Sequence, residues 1–441
     1  MCPGDPTVDR KKRGRRRLRG SPPGGGASRL GGGGRRTNSR FAPANADERA
    51  SVARLLTRPQ VRSLASASAM ARMPVAMGAV ALVIFVHAQT GSFGSAGAVT
   101  AAYTLAFAIA GPILARLVDR RGVRAILLPA ASLASLALLS IAVLGEMGAP
   151  VVALIGASAV AGAAAPPISG VLRHAWPSIF DEEELPTAYL FDSILIETVF
   201  IGGQIVIGVL AAALDPAAPI IFGAVVGFIG TAWFVSLPAI TAMKPSPPHH
   251  HTRAGALASP VIVLLVVTGA PIGFSFGAFD VALPAFAASH GSSAMGGLFT
   301  ALLGVGSVVG ALVYGAFGTR LGDLRQACVR LAIAQPLVCL PLLLAPSPLL
   351  LIAPAILAGT YVAPVLTVRS RIAQISMPPG TGTETFTWLL LALMAGVSAG
   401  SLTAGPAVEA SGWRLGVAVG IALPVLALPL LIGRQKLLPR A

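Results

Sequence analysis

Three acidic residues, Asp192, Glu197 and Asp280, stand inside stretches that are otherwise apolar for tens of residues. A carboxylate in such surroundings is costly, so it faces a cavity, a partner or a proton that it takes up and gives back. At 100° per residue, Ser193, Glu197, Gln204 and Gly208 fall within about 60° of one another on one helical face, whereas Asp192 points about 140° away from Glu197. Glu197, Asp280 and Asp192 are therefore candidate proton-coupling groups, with Ser193 and Gln204 as a polar lining beside Glu197. Asp280 shares its face with Gly269, Gly273, Gly277 and Pro284, a surface suited to close helix approach. Tyr103, Phe274 and Trp388 are aromatic candidates for contact with a substrate in the same cavity.

The elements that would carry these groups are membrane spans. Of the 441 residues, 54% are hydrophobic and 11% charged, and the mean hydropathy of +0.77 describes a chain solvated by lipid. Spans of about 20 apolar residues leave room for about twelve helices with short connections. The net charge of +16 is sorted by loop rather than spread over one surface. Basic residues fall in the N-terminal tail, at 116–124, at Arg173, Lys244, Arg253, Arg320, Arg325, Arg330, Arg369 and Arg371, and at Arg434, Lys436 and Arg440, while the alternate loops are nearly free of them. That alternation places both termini in the cytoplasm and requires an even number of spans.

The expected organisation has four parts. Residues 1–68 form an Arg/Gly/Pro-rich cytoplasmic tail, 69–241 a six-helix bundle, 242–258 a cytoplasmic linker and 259–435 a second six-helix bundle. The tail composition cannot bury a core, and chain initiation at Met70 or Met73 would remove it. With Phe41 as its one aromatic, the tail offers little for base stacking, which argues against nucleic acid as a partner.

Other chemistry finds no support. Cys2, Cys328 and Cys339 are scattered and form no disulfide framework. The run His249-His250-His251 has no flanking carboxylate or Cys and reads as a solvated linker, so no metal site is expected. Nucleotide-binding loops, nucleophile elbows and zinc-protease motifs are missing, which disfavours an enzyme and any bound cofactor.

The two halves repeat one another. The loop Arg116-Leu117-Val118-Asp119-Arg120-Arg121-Gly122-Val123-Arg124 has a counterpart in Gly315-Ala316-Phe317-Gly318-Thr319-Arg320-Leu321-Gly322-Asp323-Leu324-Arg325. Ala165-Pro166 followed by Arg173 returns, at equal spacing, as Ala363-Pro364 followed by Arg371. In these features the chain resembles the major facilitator superfamily, whose loop signature reads G-x-L-x-D-[RK]-x-G-x-[RK]. Leu117, Asp119, Arg120, Gly122 and Arg124 match it, with Ala115 at the first Gly; Gly315, Arg320 and Gly322 match in the second copy, with Thr319 at the Asp.

The resemblance implies an all-α membrane protein of twelve transmembrane helices in two pseudo-symmetric bundles, a cytoplasmic gate at those loop residues, and alternating access by rocking of the halves. It also implies a monomer in the plasma (inner) membrane that uses the proton gradient as its energy source. Residues 173–177 and 188–193 are similar to a subgroup of bacterial facilitators described as drug or metabolite exporters, although Gly203 is followed by Gln204 where drug antiporters carry a Gly-Pro pair. The functional expectation is proton-coupled efflux of a small amphipathic compound. The alternatives are a sugar or metabolite permease of the same fold, and a membrane scaffold or sensor that does not transport.

Overall fold

Proline and glycine set the ends of the helices. The computed structural model describes residues 57–181, 184–243, 255–292, 295–317, 322–378 and 381–439. Among them, twelve helical segments are long and apolar enough to cross a membrane. They are α1 (Pro59–Thr90), α2 (Phe93–Arg121), α3 (Val123–Glu146), α4 (Val151–Ser178), α5 (Thr187–Ala213) and α6 (Ala218–Ser236) in the first half. The second half has α7 (Pro260–Ser289), α8 (Gly296–Gly315), α9 (Leu324–Leu344), α10 (Pro348–Ser376), α11 (Glu384–Ser411) and α12 (Trp413–Leu437). No strand occurs among the described residues.

The first helical positions of α1, α7 and α10 are proline, whose missing N–H has no partner to lose there. Ser92 caps α2 by accepting from the Ser95 N–H, and Asp323 caps α9 by accepting from the Gln326 N–H.

The internal repeat survives in backbone detail. Gly122 and Gly322 close the two signature loops with φ of 88° and 83°, a region that a residue with a Cβ rarely enters. The repeated Ala-Pro pairs accompany breaks: the first lies where α4 leaves helical geometry between Ala163 and Ile168, and the second in the first turn after α10 breaks between Gly359 and Val362. Helices of this interrupted kind line sites in transporters because the freed backbone is tolerated only inside protein or beside water.

The alternating connections define two ends. The basic-loop end carries 116–124 and 322–325, and the charge-poor end carries the turns near 91, 148, 215, 291, 346 and 412.

One boundary differs from the sequence expectation. The first span begins at Pro59, so the last ten residues assigned to the tail are helical. Val61, Leu64, Ala65 and Ser68 are buried at helical spacing, and the first three join a core with Leu172, Trp176, Phe191 and Phe234. Small Ser and Ala residues together with Arg58 and Arg62 lower the hydropathy here without breaking the apolar face. A chain started at Met70 should therefore give sharply less folded protein than one started at residue 57. Monodisperse yield on size-exclusion chromatography measures this, and equal yields would show that the first three turns are dispensable.

Candidate functional site

The halves meet at the charge-poor end along two seams. In the first, Gly97 of α2 packs so closely on α11 that a Cβ would overlap the Ser401 carbonyl oxygen, and Ser398 Oγ donates to the Ala101 carbonyl at 2.9 Å. Glu409, near the end of α11, closes this seam by accepting from Ser92 Oγ at 2.5 Å and from the Gly94 N–H at 2.9 Å. Its carboxylate thus sits at the N-terminus of α2, where the helix dipole favours an anion. In the second seam, Gln204 of α5 donates to the Ala76 carbonyl at 2.9 Å while its own oxygen accepts from Thr300 Oγ1 of α8 at 2.9 Å. Ile201, one turn along, lies against Gly304 of α8.

Beyond Ile201 the second seam parts. Glu197 continues the same face of α5 one turn nearer the basic-loop end and is exposed, as is Ser193. On the facing side of α8, Val308 and Ala311 are exposed too. The cleft so opened has apolar walls and one carboxylate close to its closed end. Ser193 Oγ donates back to the Tyr189 carbonyl at 3.0 Å, which leaves its lone pairs free.

The first signature loop agrees with an open basic-loop end. Asp119, Arg120 and Arg124 are exposed with no ion pair among the described residues, and Leu117 is half-buried. Gly315 is half-buried at the end of α8, and Arg320 lies outside the described residues. The acid missing at Thr319 reappears four positions later as Asp323, occupied in capping α9.

The remaining predicted residues go to different places. Asp192 lines no cavity: it is fully buried, accepting from Arg72 of α1 at 2.8 Å and from Arg173 at the end of α4 at 3.0 Å. A carboxylate held by two guanidinium groups has no vacancy for a transported cation. Tyr103 is likewise corrected, because it is buried with its hydroxyl donating to the Pro74 carbonyl at 3.3 Å and its ring against Gly78. Phe274 is also buried, on a backbone that α11 approaches at Gly396 and Gly400. Trp388 is partly exposed, its indole N–H reaching Glu384 at 3.4 Å. Asp280 is half-buried beside the glycine stripe of α7, with no hydrogen bond or ion pair among the described residues.

Two charged residues that tie helices together were not among the sequence candidates. Arg72 is a lone cation in an apolar run and was detectable on that ground. Glu409 gave no signal, since its partners lie 315 and 317 positions away. No group of three metal-capable side chains occurs among the described residues, and His249–His251 fall outside them.

Twelve spans in two repeats, joined at one end and parted at the other around a carboxylate, define a multi-pass membrane transporter. The family model of the Major Facilitator Superfamily matches residues 64–270 of the chain. Its fold is similar to that of a point mutant of the nucleoside transporter NupG, with a TM-score of 0.70 at 15% identity, covering 84% of this chain and 98% of that one. It is similar also to an auto-inhibited peptide transporter of the POT family, with a TM-score of 0.64 at 13% identity, covering 86% and 97%. At such identities the likeness carries the fold. No curated protein matches the chain in sequence.

Proposed function

We propose that this transporter is a proton-coupled exporter of a small amphipathic compound, working as a monomer in the plasma membrane with its basic-loop end in the cytoplasm. The observation that carries the reading is Glu197: an exposed carboxylate about two turns below the Gln204–Thr300 contact, between apolar walls. One carboxylate neutralises a proton or a cationic group, and not both at once. Competition of this kind couples the two flows in opposite directions when each half-cycle exposes the site to one side. Ile201 and Val308 supply the apolar contact that an amphipathic compound needs. Asp280, without a partner among the described residues, is the second proton-coupling candidate.

The test is transport of a lipophilic organic cation such as ethidium in proteoliposomes with an imposed pH gradient. The native protein should drive it against its own gradient. Glutamine neither takes up a proton nor neutralises a cation, so Glu197→Gln should weaken driven transport at least about tenfold. Asp280→Asn should slow it with smaller effect. Native rates in both variants would sink proton coupling through these acids.

A metabolite permease is the second reading, supported by the nucleoside and peptide transporters among the solved structures of this fold. It predicts movement of a neutral metabolite that an uncoupler leaves unchanged. The scaffold or sensor alternative predicts no movement of any compound.

A further inference from the structure

The two halves differ in how they neutralise a buried arginine. In the first half, Arg72 lies between α1, α4 and α5, donating to Ser169 Oγ at 3.1 Å and to the Asp192 carboxylate. In the second half, Arg369 of α10 packs on α7 beside a crevice that α9 and α12 also line, and it is 6% exposed. It donates to Thr268 Oγ1 at 3.0 Å and to the Leu265 carbonyl, both on α7. No carboxylate pairs with it among the described residues.

The register explains why. Helices α7 and α11 run parallel, with Gly273 against Leu393 and Gly277 against Val397, so Leu389 falls beside Gly269. A Cβ on Gly269 would lie 3.0 Å from Arg369 Nη2. The repeat spacing carries Asp192 onto Leu390, so leucines 389 and 390 occupy the stretch of α11 that corresponds to the acid on α5.

A guanidinium buried without a counter-charge costs several kcal/mol, and neutral oxygens answer its hydrogen bonds without removing its charge. Thr268 and Leu265 engage only part of its five-donor fork. Beside it runs a narrow crevice lined by Thr268, Cys328, Gln335, Pro424 and Leu428. Gln335 Nε2 is engaged with Ser275 Oγ at 3.1 Å, and the Cys328 thiol is a weak, neutral neighbour. The space is of water size, too small for an organic substrate.

We propose that Arg369 is the core of a buried site for a small monovalent anion of the size and charge of chloride. The anion does for the second half what Asp192 does for the first. Its site lies within one bundle, apart from the cleft that holds Glu197.

The full-length protein in detergent tests this by thermal unfolding as chloride replaces gluconate at constant ionic strength. Occupancy at about a hundred times the dissociation constant should raise Tm by about 5 °C, with saturation. Arg369→Gln should abolish the rise. Leu389→Asp should also abolish it, with a high Tm already in gluconate, because a built-in carboxylate replaces the ion. Crystals grown in bromide should show anomalous scattering beside Arg369. Where Arg369→Gln does not fold, Leu389→Asp and the bromide crystals decide. A native Tm indifferent to chloride, a rise that persists in either variant, or a crystal with no bromide at Arg369 would overturn the site.

Discussion

Asp192→Asn should cost the protein about 3–5 kcal/mol, because it leaves the Arg72 guanidinium buried without its counter-charge. Asp192 is fully buried and Arg72 is 6% exposed, so neither the pair nor the orphan that replaces it is screened by solvent. Arg72 would keep Ser169 Oγ and the new amide oxygen as acceptors, both neutral, and its Nη1 already has no partner in the intact site. The third member behaves differently. Arg173 is 53% exposed, so Arg173→Gln removes a largely hydrated charge and should cost about 1 kcal/mol or less.

The double variant Arg72→Met, Asp192→Leu should recover most of the loss, since apolar residues of similar volume often replace a buried ion pair at little net cost. Apparent Tm in detergent orders the four proteins. Equal losses for Asp192→Asn and Arg173→Gln would contradict this account of where the energy resides. The same series separates structure from coupling. Should the double variant fold and still move substrate under a pH gradient, Asp192 has no part in handling the proton.

Much of the fold was legible because lipid imposes a simple code. Long apolar runs, alternating basic loops and a repeated glycine turn gave span number, order and internal symmetry, and the structure reproduces them through Gly122 and Gly322. The α5 stripe was legible for a similar reason, since periodicity alone puts Ser193, Glu197 and Gln204 on one face. Which part of that face is covered was not legible. Gln204 lies in the seam and Glu197 in the cleft because α8 touches α5 at Gly297 and Gly304 and then departs, a tertiary fact with no local signal.

Polarity also misled where backbone packing decided the outcome. Tyr103 resembled a cavity aromatic, but its carbonyl is the contact that Gly162 of α4 makes. The start of α1 was obscured because its buried face is made largely of Ala and Ser, which hydropathy ranks low and close packing favours. Asp192 was found, and its partner Arg72 was passed over within the same class of observation.

Replacing Gly97 with leucine should hold the charge-poor end apart and reduce transport at least about tenfold, even though no predicted substrate residue is touched. The obstruction is backbone on both sides: a Cβ at Gly97 would overlap the Ser401 carbonyl oxygen, and one at Gly405 the Phe93 carbonyl oxygen. No rotamer change relieves such an overlap, so α2 and α11 must separate. Overpacking of this kind costs typically 1–3 kcal/mol, and about 1.4 kcal/mol is a tenfold change in a two-state equilibrium. The contacts that hold this end closed, Glu409 on Ser92 and Gly94 and Gln204 on Thr300, are hydrogen bonds between the same two rigid halves. A wedge in one seam therefore weakens both.

Accessibility distinguishes a displaced equilibrium from a misfolded protein. Thr300 is 6% exposed in the closed seam, and Cys328 and Cys339 are buried. A Thr300→Cys background should resist a membrane-impermeant maleimide from the charge-poor side and become reactive when Gly97→Leu is added, with an unchanged size-exclusion profile. Gly111→Ala and Gly202→Ala are the controls, because a Cβ at either position meets nothing within 4 Å. If Gly97→Leu transported at the native rate with the thiol at 300 still protected, the α2–α11 seam would not be the surface that closes in each cycle. The role assigned to Glu409 would fall with it, since that carboxylate joins the halves through the first turn of the same helix.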